Sequence, residues 1–170
     1  DASSVGLGTG ALANDDGTTN RNTAVGIDAL TTNTTGPYNT AIGWYALNNN
    51  TTGTANTATG YSNLSSNTTG GYNTANGLMA LYSNTTGTNN TASGTYALKF
   101  NTTGEKNTAN GMAALLSSTT GANNTANGFY ALYSNTTGAK NIGLGYGAGD
   151  AITTGSNNTI IGDYAGTTTL

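Results

Sequence analysis

The chain has no cysteine and no histidine, one proline, one tryptophan, and four lysines and arginines together among 170 residues. Without thiols or imidazoles it lacks the parts for cysteine nucleophiles, Ser–His triads and the usual zinc sites, and no disulfide framework marks its compartment. Only 6% of its residues are charged, against about 25% in an average soluble domain. With a net charge of -3 and four basic residues a basic face that tracks phosphates is not expected, and nucleic acid is a poor candidate partner. No apolar run approaches the roughly 18 residues that cross a membrane, so membrane insertion by this segment is not expected. No signal peptide is visible and the sequence starts abruptly at Asp1, so a mature or trimmed fragment is expected. Carboxylates are scattered, whereas glycoside hydrolysis needs a close pair. The expectation is a non-enzymatic protein with no cofactor and no metal. The adjacent Asp15 and Asp16 lack the further oxygens that calcium needs.

Asn, Thr and Gly fill the place of the missing charges, and they do so with a period. Counting Asn22 as position 1, Asn recurs at 39, 56, 73, 90, 107, 124, 141 and 158 with no insertion or deletion. Gly holds position 5 from Gly26 to Gly162. Ala holds position 8 except at Asn63, and Leu holds position 9 from Leu30 to Leu132. Thr-Thr-Gly stands at positions 13–15 of each unit. The organisation read from this register is a degenerate capping repeat over 1–21, eight 17-residue repeats over 22–157, and a truncated terminal repeat over 158–170. In the first of these, Val5-Gly6 and Ala11-Leu12 are aligned with positions 4–5 and 8–9 by allowing a two-residue insertion. A strict period argues against disorder, because only stacked units need their side chains in register.

Seventeen residues are too few for a helix pair, and Asn, Thr and Gly are poor helix formers. The fold class expected is all-β, a β-solenoid or β-roll of stacked coils, with neighbouring coils about 4.8 Å apart. One strand is expected over positions 1–5 and a second over 6–10, with N-T-T-G as a loop. One Leu per coil contributes about 2 kcal/mol, which is little against the backbone entropy of ordering a coil. Asn side-chain ladders between coils and burial against sister chains are expected to make up the difference, so the chain is expected to associate with itself.

The variable columns carry the candidate contact surface. Positions 6, 7 and 10 hold Trp44, Tyr45, Tyr61, Tyr82, Tyr96, Phe129, Tyr130 and Tyr133, and exposed aromatics suit binding to sugars or proteins. Core or interface packing is the alternative for the same residues. Position 4 is apolar at both ends and polar in the middle, at Thr59, Asn76, Ser93, Asn110 and Asn127. It is either an outward surface or a polar inter-chain axis. Asn33, Asn50, Asn67, Asn84, Asn101 and Asn135 open Asn-Thr-Thr sequons, though the turn itself calls for the same tripeptide.

Asn39-Thr40-Ala41-Ile42-Gly43-Trp44-Tyr45-Ala46-Leu47 and its copies resemble the N-x-A-I-G-x-x-A repeats of trimeric autotransporter adhesin heads and the repeats of bacterial and phage tail-fibre-like proteins. The resemblance spans about 22–166. It implies a parallel homotrimer, extracellular or cell-surface display, and a cell-surface glycan or protein as partner. The period of 17 and the N-T-T-G loop depart from the adhesin head. An ice-binding β-solenoid and a self-assembling extracellular filament or surface-layer subunit are the competing readings; a single Thr column at position 2 speaks against the former.

Overall fold

The computed structural model describes residues 4–16 and 20–163. Among them there is no helix. Ten short strands occur in chain order: β1 (Val5–Leu7), β2 (Thr23–Val25), β3 (Thr40–Ile42), β4 (Thr57–Tyr61), β5 (Thr74–Leu78), β6 (Thr91–Ser93), β7 (Thr108–Asn110), β8 (Thr125–Asn127), β9 (Ile142–Leu144) and β10 (Thr159–Ile161). They form one sheet in sequential order, and every pairing is parallel. From β2 onward each residue pairs with the one 17 positions on, as Thr40 does with Thr57. The chain is a parallel β-solenoid of stacked 17-residue coils.

Each coil is tied to its neighbours around its whole circumference, beyond the strand as well as within it. In the coil that starts at Asn39, the Thr40 N–H donates to the Asn56 carbonyl at 2.8 Å and the Gly43 N–H to Val25 at 2.7 Å. The Tyr45, Leu47, Asn49 and Thr51 amides donate to Ile27, Asn63, Ser65 and Thr68, and Ala55 donates to Pro37. The N-T-T-G segment is therefore a bend in shape but a ladder in its hydrogen bonds.

The second strand expected over positions 6–10 is absent; that stretch is a turn in nearly every coil. The reason is backbone sign. Positions 7, 9 and 17 are left-handed, as at Tyr45 (φ 56°), Leu47 (φ 51°) and Ala55 (φ 55°), and alternation of this sign cannot continue an extended strand. The first strand is also shorter than expected, covering positions 2–4 in most coils and reaching position 6 only in β4 and β5. Gly at position 5, with φ between 123° and 140° from Gly26 to Gly145, turns the chain out of the sheet. A Cβ on Gly94 would strike the Gly111 carbonyl at 2.6 Å, so this column needs glycine for both angle and space.

The core is narrow. Ala at positions 3 and 8 and Leu at position 9 line it, all at or near zero exposure from Ala24 to Leu132. Buried asparagines fill the rest. Near the C-terminal end Gly149 replaces the Leu, and Ile152 and Ile160 occupy the space, approaching where a Gly149 side chain would stand. The first coil corrects the alignment read from the sequence. Val5 pairs with Thr23 and Leu7 with Val25, so Leu7-Gly8 stands at positions 4–5 and no insertion interrupts the run from Leu7 to Leu12. The extra residue relative to the 17-residue period falls after Asn14, whose N–H still pairs with Thr31. Residues 164–170 of the terminal repeat and 17–19 of the first lie outside the described residues.

Candidate binding surface

In the strand, the position 3 side chain points into the core and those of 2 and 4 point out. Where β4 and β5 extend, Tyr61 pairs with Leu78, which carries the outward row on to position 6. The sheet's outer face is columns 2 and 4, which column 6 continues within the sheet at β4 and β5 and borders elsewhere, past the turn at position 5. Position 2 is Thr except at Ile142. Position 4 is exposed or half-exposed along its length, with Ile42 at 42% and Leu144 at 46%. Position 6 holds Ile27, Trp44, Tyr61, Leu78, Thr95, Met112, Phe129 and Tyr146.

Position 4 therefore lies outside the coil. Thr59, Ser93 and Asn110 are exposed and Asn76 and Asn127 half-buried; the Asn110 side-chain amide donates to Asn127 Oδ1 at 2.8 Å. This column does not line the coil interior.

The eight aromatic candidates separate into groups. Trp44 and Tyr61, both at position 6, lie 4.7 Å apart between ring centres, and Tyr45 meets Trp44 edge-on at 4.4 Å. Phe129 packs on Tyr130 at 4.2 Å, and Tyr130 on Tyr133 at 4.8 Å. Phe129 also stacks on Tyr146 at 5.3 Å with planes 2° apart. Tyr96 lies under the Lys99 ammonium at 4.6 Å. Tyr82 is half-buried and joins neither cluster. Position 6 is the exposed column, whereas Tyr45, Tyr82, Tyr96, Tyr130 and Tyr133 at positions 7 and 10 are half-buried. The candidate set omitted Tyr38 and Tyr72 at position 17, which are among the most exposed rings at 55% and 64%. Their signal was available: position 17 varies freely between Arg21 and Asn157, as an outward column does. Tyr38 also accepts from Arg21 Nη1 at 2.8 Å.

The sequon asparagines at position 12 have no exposure. Their amides are committed: Asn50 Nδ2 donates to Asn33 Oδ1 at 2.9 Å and to the Gly53 carbonyl at 3.0 Å. A glycan on that nitrogen is incompatible with the folded coil. Asp15 and Asp16 both accept from Asn20 Nδ2, at 2.6 and 3.1 Å. Among the described residues no group of three or more acidic side chains gathers as a metal cage. No family model, curated protein or solved structure matches this chain.

Proposed function

We propose that this chain is a structural and adhesive segment of an extracellular fibre, a self-associating rod that acts by display and binding and not by catalysis. One observation carries the reading. The residues that stay constant in nearly every coil build the scaffold: asparagine at positions 1 and 12, alanine at 3 and 8, glycine at 5 and leucine at 9. The varied residues at positions 4 and 6 project from one face. Constant scaffold with varied display is the arrangement expected of a fibre that meets a partner through its side. A cell-surface glycan or protein is the partner class suited to the Trp44–Tyr61 cluster, which offers two rings at 42% and 40% exposure. The resemblance of the repeat to trimeric fibre proteins supports extracellular display, and the arrangement of copies follows from the outer face of the sheet.

The test is a binding screen against cell-surface glycans and matrix proteins, followed by Trp44→Ala and Tyr61→Ala. Loss of binding by tenfold or more with an unchanged circular dichroism spectrum supports the reading. Binding that survives both substitutions overturns this cluster as the contact. A second reading, ice binding, is favoured by one feature: position 14, from Thr35 to Thr154, is an exposed column of threonines. Thermal hysteresis measured at millimolar concentration decides it, and its absence disposes of that reading.

A further inference from the structure

The outer face of the sheet reads the same in both directions along the rod. Taking the coil of Ser93 and Thr95 as centre, position 4 runs outward through Asn76 on one side and Asn110 on the other, then Thr59 and Asn127, then Ile42 and Leu144. Position 6 runs through Leu78 and Met112, then Tyr61 and Phe129, then Trp44 and Tyr146. In columns 4 and 6 polar residues mirror polar ones and apolar residues mirror apolar ones out to the coils of Ile42 and Leu144; column 2 is Thr on both sides except where Ile142 mirrors Thr40. The face is also free of charge from Thr23 to Gly162. The charged residues from Arg21 to Asp150 stand at positions 7, 10, 16 and 17, and only Asp163 breaks the row at its end. Depletion of charge is the mark of an interface core.

We propose that this face binds a second copy of the chain, face to face and antiparallel, about a two-fold axis that runs along the strand direction through Ser93. The proposal rests on the self-associating rod and specifies its geometry; Trp44 and Tyr61 lie on the face it covers, so pairing and the glycan or protein binding proposed above compete for that face. A two-fold along the strands keeps each column opposite itself and reverses the order of coils. Trp44 then meets Tyr146, Leu78 meets Met112, and Asn76 meets Asn110. A two-fold along the rod does the opposite. It swaps column 2 with column 6 and lays the Thr column against the apolar one, with Thr40 opposite Trp44. The mirrored pattern is needed only for the antiparallel pair, because any sequence matches itself when parallel.

Register is fixed by the polar centre. A slip of one coil sets Ile42 against Asn127 in one direction and Thr59 against Leu144 in the other, so an amide or hydroxyl loses its partner. Buried asparagines set register in paired helices by the same logic. Three columns about 13 Å wide over about 40 Å of rod give on the order of 500 Å² per chain, the size of a small interface and below the roughly 800 Å² per partner of a standard pair.

The absence of cysteine makes the test clean. Thr52→Cys and Thr103→Cys place one nitroxide label each on the exposed position 14 column, outside columns 2, 4 and 6. Sedimentation equilibrium should give twice 16.9 kDa. Electron–electron dipolar distances should then differ: the Thr52 labels carry an extra axial offset of roughly 20–30 Å that the near-central Thr103 labels lack. Equal distances for the two labels, or a trimer mass, overturn the antiparallel pair and leave a self-associating rod. A mass of 16.9 kDa overturns self-association altogether, while the glycan or protein binding proposed above is tested separately. The double variant Leu78→Asp/Met112→Asp should return the mass to that of one chain with an unchanged dichroism spectrum; a folded variant that stays paired overturns this face as the contact.

Discussion

Leu81 is fully buried yet has φ 53°, and the same holds for every core leucine from Leu30 to Leu132, with φ between 51° and 53°. Left-handed backbone costs an ordinary residue about 1–2 kcal/mol, and a β-branched side chain suffers most there. That explains an omission in the sequence. Thr is abundant everywhere else, but no Thr, Val or Ile stands at position 7, 9 or 17 among the described residues. The core column is thus Leu for its shape as well as its volume. Leu81→Met should cost under about 1.5 kcal/mol, and Leu81→Ile, which keeps the volume but branches at Cβ, about 2–3 kcal/mol. Urea denaturation of the two variants checks this, and equal losses would refute the account. At position 17, Ala55 has φ 55° where Asn89, Asn123 and Asn157 stand in other coils. Asn tolerates this conformation, so Ala55→Asn should stabilise by about 0.5–1 kcal/mol, read as a raised Tm.

At the scale of an element, the asparagine columns form two ladders of different design. At position 1, each Oδ1 accepts the backbone N–H of the next coil's Asn, as Asn39 Oδ1 does from Asn56 N–H at 2.9 Å; Asn56 Nδ2 donates to the Gly70 carbonyl at 2.8 Å and, more weakly, to Asn39 Oδ1 at 3.2 Å. At position 12 the amides bond to one another, Asn67 to Asn50 and Asn84 to Asn67, both at 2.8 Å. The second ladder breaks where Ser118 replaces Asn. Ser is too short to reach back, and Asn101 Oδ1 is left buried without a partner, as is Asn135 Oδ1 against the apolar Ile152. A buried orphan acceptor costs about 1–3 kcal/mol. Ser118→Asn should therefore stabilise by about that much, because its Nδ2 would serve Asn101 and its Oδ1 would accept from Asn135. Thermal unfolding measures it, and an unchanged Tm would refute the ladder as a source of stability. The other exception in the scaffold is satisfied where it stands. Asn63 at position 8 donates to the Thr59 and Gly77 carbonyls and accepts the Ala80 N–H. The amide ladders were legible in the sequence because Asn recurs without a shift. The turn at 6–10 was not, because A-L flanked by aromatics looks like strand, and the sign of φ shows only in which residue types a column avoids. The exposed column was half legible: strand logic required that positions 6 and 7 differ in exposure, but not that 6 would be the outer one.

The whole molecule behaves as a stack in which each coil meets only its two neighbours, so its stability is a sum of coil and interface terms. Its tolerance to length should follow the period. Deleting residues 73–89 removes one coil and brings Asn90 onto Asn56 with every column intact, so the chain should fold into a rod shorter by about 4.8 Å. Deleting residues 73–84 removes part of a coil and sets Asn56 against Thr85 and Leu64 against Ser93 through the core; that chain should lose its cooperative transition. The first coil shows where the period can be relaxed. β1 pairs with β2 at a spacing of 18, whereas β2 pairs with β3 at 17, and the surplus residue falls between Asn14 and Asn20, whose carbonyl accepts the Tyr38 N–H as a position 16 carbonyl does in later coils. An added Gly between Gly87 and Thr88, in the corresponding stretch of an interior coil, should therefore cost far less than one between Ala80 and Leu81, where it would displace the core leucine. Circular dichroism melts of the two insertions and small-angle scattering of the two deletions test the same claim. If the 17-residue deletion destabilises as much as the 12-residue one, register between coils is not what holds the rod together.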